Sequence, residues 1–482
     1  MTWWLYLIIA VSAVIVILIA VVIGRTLAFR PVAGKKPEEK PVTFDKEKAV
    51  NDLAAMVRLR TVSSRDKSEE DESEFEKFES LLFKSFPLVA GTCEFDKIGS
   101  RGLLFKWKGK SSAAPSVFMA HYDVVSAVEK DWLKPAFEGI VEDGVLWGRG
   151  TLDTKITLNG VMQAAEQLIK DGFIPENDIY LAFAGDEEIA GNGAEGIVDE
   201  FIKRGVKPAL VVDEGGAVVE KVFPGVNLPC ALIGTGEKGM MDLEFSVSGN
   251  GGHASAPPPH TAVGKLSAAC VKVESKPFKS VLSRPAAEMF DTLGRHSSFG
   301  LRMVFANLWL FKPVLDGMCK KKGGELNALM RTTCAFTQMQ GSKGTNVLPP
   351  EAKMVANIRI ISGETTDSVI KRIEQTVADP EVKLRIIHAM NPSAVSVTEG
   401  EGWQKLKDAI SLTWKGAIIS PYLMVACSDS RHYGKISDKV YRFSAMALSA
   451  EERALIHGNN ERVPLETVYK TVEFYLRLIG SC

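Results

Sequence analysis

The strongest constraint on the fold is a series of short apolar segments that alternate with amphipathic ones between residues 116 and 212. Segments 116–120, 178–185 and 209–212 have the length and composition of buried strands. The stretches between them carry the apolar spacing of helices. Apolar strands separated by helices are typical of a parallel sheet covered on both faces. The sequence therefore predicts an α/β catalytic domain with a mostly parallel sheet.

A different pattern begins near residue 238. Alternating or apolar strand segments and helical segments follow one another in an order that suggests β-α-β-β-α-β, and the clearest are 241–247, 262–274, 352–361, 366–378 and 382–388. This order predicts a small ferredoxin-like α+β domain inserted into the first. An unusually apolar segment at 276–331 interrupts it. We expect a catalytic domain at 46–237 and 397–482, and an inserted domain at 238–396.

The N-terminal region predicts a membrane anchor at 1–24. Residues 3–23 form an uncharged run long enough to cross ~30 Å of hydrocarbon as a helix. A cleaved signal peptide is the alternative, and it fits less well because no Lys or Arg precedes the run and no clear small-residue cleavage site follows it. Residues 25–45 are rich in proline and mixed charges and are expected to be a linker.

Polar side chains follow each of the three predicted parallel strands. His121 and Asp123 follow the first, Glu187 and Glu188 the second, and Asp213 ends the third. Ligands of open parallel sheets gather outside these carboxyl ends. A single acid there is usually a solvated cap, but so many carboxylates in one cleft would repel one another without a cation.

A further acid, Asp153, precedes the first long helix. Mixed His and carboxylate ligands suit Zn²⁺ and also accept Co²⁺ or Mn²⁺. A nucleic-acid partner is not expected, because the net charge is −1 and no basic run is present. The seven scattered cysteines lack a C-x-x-C pair and predict no cysteine zinc site.

The soluble part resembles the dizinc aminoacylase/carboxypeptidase family, and within it the subgroup of carboxypeptidase S and the secreted N-fatty-acyl-amino-acid synthase/hydrolases. The resemblance rests on motifs spread over the whole soluble chain: MAHYDVV (119–125), WGRGTLDTK (147–155), DEE (186–188), VVDEGG (211–216), GGHAS (251–255), NVLPPEA (346–352), SDSRHY (428–433) and IHGNNERV (456–463). It implies an enzyme that cleaves, and in some relatives forms, an amide bond next to a free carboxylate.

The resemblance also implies roles for single residues. Two zinc ions would be bound by five ligands: His121, Asp153, Glu188, Asp213 and His457. Asp153 would bridge the two ions, and the peptide bond after it would be cis. Glu187 would be the general base that takes a proton from the attacking water. Asp123 would orient the ring of His121.

Substrate-binding residues follow from the same resemblance. His253 would stabilise the oxyanion from a neighbouring protomer, because the inserted domain serves as lid and dimer contact in relatives. Asn346, Arg359 and Arg431 would bind the amide and the carboxylate of the substrate, Arg431 being the better motif match.

Two function classes remain at this point. One is an amidohydrolase of N-acyl amino acids, with a carboxypeptidase or dipeptidase as the alternative; the other is an anchored binding protein without chemistry. The intact ligands and Glu187 favour the enzyme. The apolar segment is either additional core for the lid or a channel for a long acyl chain, and the channel predicts N-fatty-acyl substrates.

The location of the catalytic domain relative to the membrane has two conflicting indications. Arg25, Arg30, Lys35 and Lys36 follow the apolar run, and the positive-inside rule places them in the cytoplasm. The proteins that the chain resembles are lumenal or secreted, and long domains translocate regardless of flanking charge. We therefore expect an extracytoplasmic domain.

Overall fold

The computed structural model of the chain describes residues 3–32, 34, 37–39, 41–221 and 223–482. In the first half, the helices are α1 (Trp3–Ala28), α2 (Lys46–Val57), α3 (Glu72–Ser85), α4 (Pro87–Thr92), α5 (Lys155–Lys170) and α6 (Gly193–Arg204). The strands of the same part are β1 (Glu94–Ile98), β2 (Gly102–Trp107), β3 (Ser111–His121), β4 (Ile140–Glu142), β5 (Val145–Trp147), β6 (Asn177–Ala184), β7 (Leu210–Val219) and β8 (Cys230–Glu237).

In the second half, the strands are β9 (Gly239–Ser248), β10 (Gly252–His253), β11 (Thr333–Gln340), β12 (Val347–Leu348), β13 (Glu351–Ile360), β14 (Lys383–Met390), β15 (Ile418–Met424), β16 (Val440–Leu448) and β17 (Arg462–Pro464). The helices there are α7 (Ala262–Ser275), α8 (Arg284–Arg295), α9 (Phe299–Ala306), α10 (Leu308–Lys322), α11 (Gly324–Met330), α12 (Thr366–Val377), α13 (Glu401–Thr413), α14 (Ala450–Arg453) and α15 (Leu465–Ile479).

The larger sheet has eight strands in the order β1-β2-β6-β3-β7-β16-β8-β15. Its centre, from β6 through β3 and β7 to β16, is parallel. Strands β1, β2 and β8 pair antiparallel with neighbours, and β15 pairs parallel with β8, so the sheet is mixed around a parallel centre. The reason is that β1 joins β2, and β7 joins β8, through short connections that leave no room for a crossover helix.

The smaller sheet is antiparallel throughout and has the order β11-β13-β9-β14. One of its faces packs against α7 and α12 around Leu243, Phe245, Leu266 and Ile373. The strand order, with two helices on one side, is that of a ferredoxin-like unit. The strand and helix segments predicted between 241 and 388 are confirmed within a few residues. The largely exposed edge strand β11 is the second strand of the predicted order, for which the sequence had indicated no segment.

The apolar segment predicted at 276–331 forms the four helices α8–α11. Only Phe278, which precedes the first of these helices, joins the core of the smaller sheet. Met289, Phe290, Leu293 and Phe305 pack instead with residues of the larger sheet such as Val219 and Leu232. The segment is therefore inserted in sequence between strands of the smaller sheet but packed in space on the larger one.

Helix α1 is long and apolar enough to cross a bilayer, and a signal sequence has the same properties. It continues through Ala28, beyond the run predicted to end at Ile23. The additional turn, residues 24–28, contacts the segment α8–α11. In that contact the Arg25 Nε–H donates a hydrogen bond to the carbonyl of Ala306 at 3.2 Å. Lys35 and Lys36, which entered the topology argument, lie outside the described residues.

Candidate active site

Three parallel strands bring the predicted polar side chains to one edge of the larger sheet. Strand β3 ends at His121 and lies between β6 and β7. A 3-10 turn at Glu187–Ile189 follows β6, and Asp213 and Glu214 lie within β7. The three strands are parallel neighbours, so their carboxyl ends lie at the same edge of the sheet, as the sequence predicted.

Asp153 lies at the centre of the cluster. One carboxylate oxygen, Oδ1, is 3.1 Å from Nε2 of His121, and the other, Oδ2, is 2.9 Å from Nε2 of His457. The same His457 nitrogen is 3.1 Å from Oε2 of Glu188. The peptide bond between Asp153 and Thr154 is cis, as the resemblance predicted. Asp153 thus lies between two imidazoles, in a group of side chains able to hold a metal ion.

The donor set fits a metal. One ligand atom each of His121, Asp153 and Glu188 lie within 4.8 Å of one another. The same is true of His121, Glu187 and Glu214. The second oxygen of Glu188, Oε1, is buried and has no hydrogen-bond partner among the described residues. A buried carboxylate oxygen without a partner is costly, and a cation removes that cost.

The carboxylate of β7 that faces this cluster is Glu214. Its Oε1 is 3.5 Å from Nε2 of His121. Asp213, the predicted ligand, instead accepts a hydrogen bond at 3.0 Å from the backbone N–H of Ser430. Strand β7 is irregular here, because Glu214 and Gly215 have no register partner on β16, and this irregularity leaves the two adjacent acids with different partners. The geometry thus favours Glu214 over the predicted Asp213.

Asp123 supports the cluster at two points, of which the resemblance implied only the contact with His121. The Nδ1 atom of His121 is 3.0 Å from the backbone carbonyl of Asp123 and 3.3 Å from its Oδ1. The Asp123 carboxylate accepts hydrogen bonds from the backbone N–H groups of Glu187 and Glu188, both at 3.1 Å, and from the Ser63 hydroxyl at 2.6 Å. It therefore fixes both the ring of His121 and the turn that carries the two glutamates.

Glu461 is a positioning residue that the sequence analysis missed. Its buried carboxylate accepts hydrogen bonds from the backbone N–H groups of Gly150, Leu152 and Asp153. It also forms an ion pair with Arg149 at 2.7 Å. These contacts fix the loop that presents Asp153. The IHGNNERV motif contains Glu461, but no spacing in the sequence connects it with residues 149–153.

Excess negative charge and burial shift the titration of the cluster. Burial raises the pKa of the Glu187 carboxyl well above its usual range and that of Glu214 to about 8. Hydrogen bonds to Asp153 and Glu188 raise the pKa of His457 to about 10. A raised pKa favours the protonated form of each group, and protonation reduces the net negative charge of the cluster. The site therefore favours added positive charge, from protons or from a metal.

A cavity of about 480 Å³ opens from the cluster. Asp153, Glu187, Glu188, Glu214 and His457 line one part of it. The remaining walls are largely apolar and come from the larger sheet and from α8 and α11: Val219, Leu232, Met289, Leu326, Leu329, Leu423, Met446 and Leu448. The charged cluster is therefore continuous with an apolar chamber.

The two predicted arginines differ in their partners. The Arg431 guanidinium forms an ion pair at 3.2 Å with Glu237, which also pairs with Arg442. Arg359 contacts Asn357 Oδ1 at 3.1 Å and the Cys427 sulfur at 3.7 Å, and Cys427 lines the cavity. Within the described residues, Arg359 has no carboxylate partner. Arg431 is also close enough to Glu187 to interact with its charge, so the preference for Arg431 stays a prediction.

His253 and Asn346 are neighbours on the surface of the smaller-sheet region. The short strand β10, which ends at His253, pairs with β12, and the carbonyl of Asn346 accepts the N–H of Ala254. Both side chains are exposed. Among the described residues that line the cavity, neither of them appears.

The comparisons with known proteins agree with this arrangement. The profile of peptidase family M20/M25/M40 matches residues 117–481. The N-fatty-acyl-amino acid synthase/hydrolase of Xenopus tropicalis is 34% identical over 97% of this chain and 93% of that protein. A probable carboxypeptidase S-like protein of Dictyostelium discoideum is 34% identical over 89% of this chain and 84% of that protein.

The chain belongs to peptidase family M20/M25/M40. A solved structure, an M20 family metallo-carboxypeptidase from Sulfolobus solfataricus, has a TM-score of 0.64 at 16% identity and covers 90% of this chain and 98% of its own, which shows the shared fold. The chain is thus an amide-bond hydrolase of a metal-dependent family, with His and carboxylate groups placed to bind the metal.

Proposed function

We propose that this enzyme hydrolyses N-fatty-acyl amino acids and, in reverse, condenses fatty acids with amino acids. The observation that carries the proposal is the apolar chamber continuous with the charged cluster. Its volume of about 480 Å³ falls within the ~300–1,000 Å³ of ligand pockets. The similarity to the Xenopus tropicalis synthase/hydrolase over nearly the whole chain supports the same substrate class.

The cluster would hold two Zn²⁺ ions through His121, Asp153, Glu188, Glu214 and His457, with Asp153 shared. Glu214 replaces Asp213 in this proposal because it faces His121. When bound, the two ions would polarise the scissile carbonyl and supply a hydroxide nucleophile at neutral pH.

Glu187 is proposed as the general base. It lines the cavity beside Glu188, whose carboxylate contacts His457. The Glu187 carboxylate lies within 4.8 Å of ligand atoms of His121 and Glu214, at the rim of the same cluster. Glu187 would take the proton of the attacking water and deliver it to the leaving nitrogen. The Asp123 carboxylate holds the backbone of this turn, so the position of the base is fixed before the substrate arrives.

The substrate carboxylate is proposed to bind Arg359, with Arg431 as the second candidate. A guanidinium without a carboxylate partner is free to form a two-pronged contact with the substrate, whereas Arg431 is already paired with Glu237. The exposed His253 and Asn346 would complete the site of a second copy in a homodimer. Their exposure and their absence from the described lining of the cavity are compatible with that arrangement.

We further propose that α1 is retained as a single-pass anchor and that the catalytic domain lies outside the cytoplasm. The hydrogen-bonded contact between α1 and the segment α8–α11 supports retention, since a helix that is cleaved off needs no such partner. The chain between the end of α1 at Ala28 and the start of α2 at Lys46 would connect this anchor to the catalytic domain.

The test of the proposed function is kcat/KM as a function of acyl length, from acetyl to oleoyl, at a fixed amino acid. Each buried methylene contributes ~0.8 kcal/mol, or roughly fourfold, until the chamber is filled. A rise over many carbons is expected. A profile that is flat or falls beyond acetyl, together with faster cleavage of short peptides, would indicate a carboxypeptidase or dipeptidase instead.

A further inference from the structure

The segment α8–α11 has an exposed apolar stripe that no described residue covers. Four large side chains of α9 and α10 are open to solvent: Phe299 (54% exposed), Trp309 (57%), Val314 (60%) and Met318 (64%). On α10 the exposed positions Leu310, Val314 and Met318 recur every fourth residue and so lie on one helix face, and Trp309 lies beside the N-terminal end of that face. Lys320, Lys321 and Lys322 follow in the last turn of α10.

The end of α1 lies directly beside this stripe. The Asn307 amide Nδ2 donates to the carbonyl of Val22 at 3.2 Å and to the hydroxyl of Thr26 at 3.3 Å. Asn307 immediately precedes α10, so Trp309 is two residues from a contact with the candidate membrane span. The Arg295 guanidinium also stacks on Phe29 and donates to the carbonyl of Arg30 at 3.1 Å.

These contacts fix the depth of the stripe relative to the apolar helix. Val22 and Thr26 belong to the last two turns of α1, where a spanning helix leaves the hydrocarbon and enters the headgroup region. Trp is favoured at this level because its ring is apolar and its N–H is polar. Lysines at the end of an interfacial helix reach the lipid phosphates.

We propose that α9 and α10 form a second membrane-contacting element, which lies in the outer part of the same bilayer leaflet that α1 leaves. The occupant of the apolar stripe is thus lipid, and the continuity with α1 distinguishes it from an isolated surface patch. Met289, Leu326 and Leu329 of the same four-helix segment line the catalytic chamber. Seating the segment in the leaflet therefore brings the chamber wall to the lipid surface.

The consequence concerns how substrate enters. A long-chain N-acyl amino acid partitions into the membrane, and a chamber wall seated there receives it without release into water. This consequence rests on the proposed acyl substrate, whereas the membrane contact rests on the proposed retention of α1 and not on the substrate. The two can therefore fail separately.

The membrane contact is tested by photocrosslinking of the full chain in phosphatidylcholine vesicles. The photoreactive residue p-benzoylphenylalanine replaces Trp309, Val314 or Met318 in separate variants. Ile15 in α1 is the positive control, and the exposed Leu133 and Ile174 are negative controls. Lipid adducts at Trp309 and Val314, comparable with Ile15 and absent at Leu133, are expected. Lipid adducts at Ile15 alone, or adducts to a second protein chain at Trp309, would overturn the proposal.

Substrate delivery is tested with the double variant Trp309→Asp/Val314→Asp. Its rate on oleoyl substrate embedded in vesicles is expected to fall about tenfold, and kcat/KM on a soluble short-chain substrate is expected to stay unchanged. Leu133→Asp is the matched control and should change neither rate. An unchanged rate on the vesicle substrate would contradict delivery from the membrane, even if the acyl-length profile supports the proposed function.

Discussion

The edge of the larger sheet and the helical segment α8–α11 are two walls of one cavity, and they differ in how they are determined. At the sheet edge, the catalytic groups follow directly from strand ends, and Asp153 touches both histidines through its two oxygens. In α8–α11, apolar residues contribute both to the core and to the cavity, as Met289 does. The function of a polar residue can therefore be inferred from its chemistry. The function of an apolar residue can be inferred only from the residues that pack beside it.

The comparison also separates two kinds of sensitivity to mutation. A charged group in the cluster has several partners, and its loss leaves buried charges without compensation. An apolar group of the chamber has only contact area to lose. Mutations in the two walls should therefore differ in size and in which substrates they affect.

The largest effect is expected for Asp153→Ala. The variant removes the carboxylate that both His121 and His457 contact, so metal content and activity should be lost together. Elemental analysis of purified protein should show two Zn²⁺ per chain before the change, as in two-metal hydrolases. The exposed Asp131→Ala serves as the control. Active enzyme that contains no transition metal would contradict the proposed mechanism.

Glu187→Gln should reduce kcat by ~10²–10⁴-fold, which is the usual contribution of a general base. Unlike Asp153→Ala, it should leave the metal content unchanged, because Glu187 is proposed to face the water. Glu188→Gln is the matched neighbour and should lower metal content as well as rate. Near-normal turnover in Glu187→Gln would reduce Glu187 to a supporting role.

The sheet edge was largely predictable because strand composition and strand-end chemistry are local. Segments 116–120, 178–185 and 209–212 lie within β3, β6 and β7 or overlap them closely. His457 could be found only through the family resemblance, since it lies near the far end of the chain. The exposed edge strand β11 was missed because it lacks a buried alternation.

The sequence alone could not show whether Asp213 or Glu214 faces the cluster, and the reason is physical. The irregularity of β7 leaves the two adjacent acids with different partners, and nothing in their order shows which of them faces the cluster. The packing of α8–α11 was equally hidden. An apolar helical segment has the same sequence pattern whether it packs on the smaller sheet or on the larger one.

The metal affinities of the variants Asp213→Asn and Glu214→Gln show which of the two residues is the ligand. Glu214→Gln should weaken metal binding by roughly 10–100-fold, at least as much as the loss of a residue that only orients a ligand. Asp213→Asn should weaken it less, because the amide oxygen can still accept the Ser430 N–H. Competition with a chelator gives both affinities. A stronger effect of Asp213→Asn would restore Asp213 as the ligand.

The smallest effect is expected in the apolar wall, for Leu326→Ala. Leu326 is half-buried and lines the chamber. Removing its side chain takes contact area from a long acyl chain, and a change of this kind in an apolar pocket is worth ~1–3 kcal/mol, or about 10–200-fold. We expect the low end of that range for the oleoyl substrate, because the half-exposed wall can adjust. The acetyl substrate, which does not reach the chamber wall, should be unaffected.

The matched control is Leu266→Ala, which removes the same atoms from the core of the smaller sheet. It should lower the melting temperature through the cavity it leaves, yet leave the acyl-length profile unchanged. Kinetics on the acetyl-to-oleoyl series distinguish the two variants. Equal losses on acetyl and oleoyl substrates in Leu326→Ala would mean that α11 supports the fold of the site and not the acyl chain. A selective loss on long chains would mean that the helical wall determines which substrates the sheet edge can cleave.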